Sequence, residues 1–171
     1  MPIEAALDKH KHWGSLVDVY DPVMKASEWC RDQVKTVNTN PEDVKNVIQT
    51  HLHLDHSGAI GHFPNATHIT QRIEYDYAYN PDWFSQPAYI KEDFDKPNIR
   101  WKFLQGKKTD YFDLYGDGVI KIIFTPGHTP GHQSVLVNLP KTGHMLLTGD
   151  ACYTGDHWCD KCLPGLVASA S

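Results

Sequence analysis

The sequence predicts a mixed α/β domain, a layered sheet with helices and a site along one sheet edge. Helix-type patterns lie early in the chain and strand-type runs dominate from residue 99 onward. Three separate apolar strand candidates also exit onto ligand-type side chains: the cluster at 51–56, His128 and Asp150.

In chain order, DPVMKASEWCRDQVKTV (21–37) spaces Val23, Met24, Trp29, Val34 and Val37 between charges and predicts an amphipathic helix. Asn40 can cap the next turn, and Pro41 suits a first helical position. Val44, Val47 and Ile48 form a short β-capable run that delivers His51 onto a loop. SGAIGHF (57–63) reads as a brief helix closed by Pro64 and Asn65. ATHITQ (66–71) predicts a strand, and RIEYDYAYN (72–80) a helix stopped before Pro81. Residues 81–98 read as a surface excursion with a short helix near 87–94. IRWKFLQ, SVLVNLP and HMLLTGD predict strands, and YFDLYGDG with VIKIIFT predicts a hairpin around Gly-Asp-Gly.

A length of 171 residues, 40% apolar and 22% charged, suits one domain spanning 1–171. The net charge of −5 and the lack of a basic run argue against a nucleic-acid partner. No apolar run approaches the ~18–20 residues of a membrane span, and no signal-peptide pattern opens the chain. Four cysteines, Cys30, Cys152, Cys159 and Cys162, are too few and too unevenly spaced for a disulfide framework, so a cytoplasmic location is expected. MPIEAALDKHKHWG opens without a first strand and GLVASAS stops without a helix stop. Both ends are expected to be cuts in a longer chain, leaving a partial domain.

The chemistry concentrates in THLHLDHSGA (50–59). On an extended backbone His51 and His53 project to one side and can grip one ion. Asp55 and His56, on the following turn, can face a second. A lone histidine is ordinarily satisfied by hydrogen bonds, but four ligand-type side chains in six residues point to a metal, and imidazole with carboxylate suits Zn²⁺. TPGHTPGH (125–132) forces a tight loop that can bring His128 to a metal, and LLTGDACY (146–153) places Asp150 after another apolar strand. His132 is expected to order its loop. His62, His68 and His144 read as structural or exposed, and CDKC (159–162) as a weak zinc-ribbon fragment without a second pair.

These motifs together, over residues 38–155, resemble the metallo-β-lactamase superfamily, whose fold is an αββα sandwich, here incomplete at both ends. The resemblance implies that His51, His53 and His128 bind a first zinc, Asp55 and His56 a second, and Asp150 bridges both. Other divalent metals can occupy such ligands. The family's last ligand, a histidine beyond the bridging aspartate, has no counterpart; His157 follows too soon. GDACYT, with Tyr153 three residues after Asp150, together with TPGHTPGHQS, resembles the N-acyl-homoserine lactonase branch. That implies a quorum-quenching hydrolase that opens the lactone ring through a hydroxide held between two zinc ions. Tyr153 would then stabilise the oxyanion and Asp55 would relay the proton. Leu54 stands where these lactonases often carry an aromatic. The expected partner is a small-molecule N-acyl-homoserine lactone, with a homodimer left open. The alternatives are a glyoxalase II-like thioesterase and a truncated, inactive metal-binding fragment.

Overall fold

The computed structural model describes residues 1–106 and 110–161. They fall into two units, one of residues 1–69 and 80–102, the other of 70–79 and the chain from 103 onward.

The first unit opens with two short helices, α1 (Ile3–Leu7) and α2 (Lys9–Trp13). Asp8 separates them and caps α2, its side chain accepting the Lys11 amide at 3.1 Å. Ala5, Trp13 and Val17 pack with Leu54 in an apolar cluster, which folds this hairpin of helices onto the histidine segment. In the 21–37 stretch the long helix does not form. A 3-10 turn (Ala26–Glu28), the one-turn α3 (Cys30–Gln33) and a second 3-10 turn (Val34–Val37) take its place. The reason is that the apolar stripe finds no partner: Val23 is 90% and Val37 71% exposed, and only Trp29 is buried. The helix expected near 87–94 is likewise split into a 3-10 turn (Gln86–Ala88) and one helical turn (Lys91–Phe94).

β1 (Asn46–Ile48) pairs in parallel with β2 (Thr67–Gln71), Val47 opposite His68. β2 is the middle strand of a three-stranded sheet completed by β3 (Arg100–Leu104). A parallel pair needs a long crossover, and here residues 49–66 make it. The histidine cluster is therefore carried on the crossover, at the exit of β1.

In the second unit, α4 (Arg72–Tyr79) precedes an antiparallel meander of β4 (Tyr111–Asp113), β5 (Ile120–Phe124), β6 (Gln133–Leu139) and β7 (Gly143–Leu147). The expected hairpin is β4–β5. Its turn puts Gly116 and Gly118 at φ +75° and +77°, and the Asp113 carboxylate accepts both their amides at 2.9 and 2.8 Å. Ile122 and Val135, paired across β5 and β6, are buried in its core. The β5–β6 connection is the TPGHTPGH loop, and β7 exits to a 3-10 turn, Gly149–Ala151. Among the described residues no helix is long and apolar enough to cross a membrane.

Candidate metal centre

The crossover loop gathers four candidate ligands in the first unit. β1 ends at Ile48, so His51 and His53 stand on the loop that this run was expected to feed. Buried Leu52, Leu54 and Ile60 anchor it, and Leu54 spends its side chain on the Trp13 cluster. The His53 carbonyl accepts the amides of His56 and Ser57, both at 2.9 Å, closing a turn. That turn brings His56 back beside buried His51, ring centroids 4.1 Å apart, with the His53 ring centroid 4.6 Å from that of His51. Thr50 Oγ1 lies 3.1 Å from His51 Nδ1 and 3.5 Å from His56 Nδ1. A contact on one ring nitrogen orients an imidazole so that the other can ligate. Asp55 is exposed, with Oδ2 at 3.4 Å from His56 Nε2. Desolvation pushes its carboxyl up, but the hydrogen bond and charge of His56 outweigh that and hold it below the usual carboxylate range.

The second unit supplies the other candidates. The 125–132 loop is closed by the Thr125 amide donating to the His132 carbonyl at 2.9 Å. His128, on its apex, has Nε2 at 3.3 Å from Asp150 Oδ2 and Nδ1 at 3.3 Å from the Tyr153 hydroxyl. Tyr153 itself is 47% exposed. Gly149, at φ +54°, ends the β7 run, so Asp150 sits in the 3-10 turn just past the strand. His132 is fully buried and bridges the two loops. Its Nδ1 meets Thr125 Oγ1 at 2.8 Å, and its Nε2 accepts the Asp150 amide at 3.1 Å. Both ring nitrogens are thus engaged in ordering the loops, the role expected from sequence.

Of the other histidines that the sequence singled out, His62 and His68 make structural contacts. His68 Nε2 accepts the Gly61 amide at 3.4 Å, and His62 contacts the Lys96 ammonium at 3.0 Å and the edge of Trp29. His144 is exposed on β7. His157 Nδ1 accepts the Tyr153 amide at 3.2 Å, inside the helix Gly155–Asp160. The CDKC pair cannot be followed, because Cys162 lies outside the described residues. Thr50, Glu74 and Thr129 carried no signal of their own in the sequence; only the fold sets Thr50 against the His51 and His56 rings and Glu74 against Thr129.

His51, His53, His56 and Asp55 in the first unit, and separately His128 and Asp150 in the second, are donors of the kind that a divalent cation such as zinc takes. Each loop therefore carries the side-chain chemistry of a candidate metal site.

Residues 15–170 match the Metallo-beta-lactamase superfamily model, and the chain belongs to that superfamily. It is 59% identical over 167 residues to the N-acyl homoserine lactonase AttM of Rhizobium radiobacter, an alignment covering 98% of this chain and 64% of AttM. Among solved structures, an N-acyl homoserine lactone hydrolase with the product N-hexanoyl-L-homoserine at its catalytic metal center superposes with a TM-score of 0.79 at 29% identity, over 99% of this chain and 63% of that one. A Bacillus thuringiensis AiiA variant with N-decanoyl-L-homoserine at its active site gives 0.72 at 31% identity, over 85% and 53%. The chain thus spans between about half and just under two thirds of the length of these relatives.

Proposed function

We propose that this chain belongs to a hydrolase that opens the lactone ring of N-acyl-homoserine lactones, acting as a quorum-quenching enzyme in the cytoplasm. In this reading its two units are parts of one metallo-β-lactamase-like domain, with metal ligands drawn from both. The observation that carries the reading is the His51–His53–Asp55–His56 turn in a chain 59% identical to a lactonase. His51, His53 and His128 are assigned to a first ion, Asp55 and His56 to a second, and Asp150 to both. The 3.3 Å approach of Asp150 to His128 supports aiming these two at one point.

When bound, a pair of zinc ions supplies a nucleophile at neutral pH and polarises the lactone carbonyl. The residues do the rest. The Tyr153 hydroxyl, exposed enough to meet substrate, donates to the oxyanion that develops as the water oxygen bonds to the carbonyl carbon. Asp55, held ionised near neutral pH, accepts the proton of that water. It returns the proton to the ring oxygen as the carbon–oxygen ring bond breaks. The product is an open N-acyl-homoserine.

Parallel assays of the zinc-loaded chain on N-hexanoyl-L-homoserine lactone and on a glutathione thioester test the assignment. Ring opening without thioester cleavage is expected. Thioester turnover alone would assign a glyoxalase II-like activity, and metal binding without either turnover would assign an inactive metal-binding fragment.

A further inference from the structure

We propose that Glu74 is a positioning residue for His128, clamping the loop that carries it; the inference rests on the metal-centre reading above. Glu74 lies in the first turn of α4 and is fully buried. Its Oε2 accepts two hydrogen bonds from the loop, from the Thr129 hydroxyl at 2.6 Å and from the Gly131 amide at 3.1 Å. The shorter distance is that of a charge-assisted bond to a carboxylate.

The backbone records the same clamp independently. A Cβ on Gly131 would fall 2.3 Å from both the Cβ and the amide nitrogen of Glu74, closer than real side chains come. The loop therefore lies directly against α4, and residue 131 must be glycine for it to do so. Burying a carboxylate is costly unless its hydrogen bonds are made, and here they are made to the residue next to His128 and to one two positions further on. On the other flank, His132 ties the loop to the Asp150 amide. His128 is thus held between two anchors, one on a helix and one on the neighbouring ligand turn. An imidazole fixed in this way loses little freedom when it ligates, so the clamp is expected to act on metal affinity through His128 without touching metal or substrate.

The test is Co²⁺ affinity of the metal-stripped chain, read by competition with a chromogenic chelator, together with the Tm of the same metal-free samples. Glu74→Gln and Thr129→Ala are expected to weaken Co²⁺ binding about 10- to 100-fold, the usual effect of removing a partner that orients a ligand. Thr129→Ser, which keeps the hydroxyl, is expected to restore it. Leu104→Ala removes a buried side chain that stands on β3 and makes neither of the Glu74 hydrogen bonds; it is expected to lower Tm while leaving affinity within about twofold. If Glu74→Gln does not fold, Thr129→Ala against Thr129→Ser carries the comparison. Unchanged affinity in the folded clamp variants would overturn the proposal, as would an equal loss in Leu104→Ala. Failure of the unsubstituted chain to bind Co²⁺ would instead overturn the metal-centre reading, and this inference with it.

Discussion

Tyr153 and His128 show how much one contact can decide. The Tyr153 hydroxyl rests 3.3 Å from His128 Nδ1, so the side chain is held against the loop that carries His128. Tyr153→Phe is therefore expected to lower lactone kcat on the order of 10²-fold with metal content unchanged, checked by steady-state kinetics beside metal analysis. Unchanged kcat would remove Tyr153 from the reaction. Two other histidines set an acid limit on stability. Burial, reinforced by the Lys96 charge, lowers His62 and His68 from the ordinary 6.5 to about 4. Between those values the unfolded chain binds the extra protons. Their contribution is complete above pH 6.5 and is lost as pH falls toward 4, at most ~1.4 kcal/mol per pH unit for each. Urea unfolding from pH 7 to 4.5 is expected to show a shallower loss in His68→Gln than in the parent.

At the scale of elements, the strand-type runs and the α4 pattern were informative, even on β7, where most side chains are exposed. β2, α4 and the β4–β5 hairpin lie within a residue or two of their expected positions, and Ile69, Ala78 and Ile122 in them are buried. The 21–37 helix failed, its apolar stripe left in solvent. The candidate ligands were legible because histidine and aspartate at such density are rare without a purpose. Their supports were not: Thr50, Glu74 and Thr129 are ordinary residues whose roles depend on which loop folds against which helix. The loop-to-helix contact gives a stability expectation. Gly131→Ala must push the loop off α4 and is expected to cost about 1–3 kcal/mol, read as a fall in Tm. Leu54→Ala empties a place in the Trp13 cluster beneath the histidine turn and is expected to cost about 2–5 kcal/mol. A variant as stable as the parent in either case would contradict the packing described.

For the whole molecule, superfamily membership narrows the chemistry to a fold that hosts several hydrolytic reactions, and fold alone does not select among them. Likeness to lactonases selects the substrate proposed, while the ligand assignment makes a claim about number: two ions, with Asp150 shared between them. That claim is tested most directly by the zinc content of the purified chain after saturation and removal of free metal, measured by elemental mass spectrometry beside Asp150→Asn. Two zinc ions per chain are expected, falling to one or fewer in the variant. A content of one or none in the unsubstituted chain, or a content that Asp150→Asn leaves unchanged, would contradict the two-metal centre.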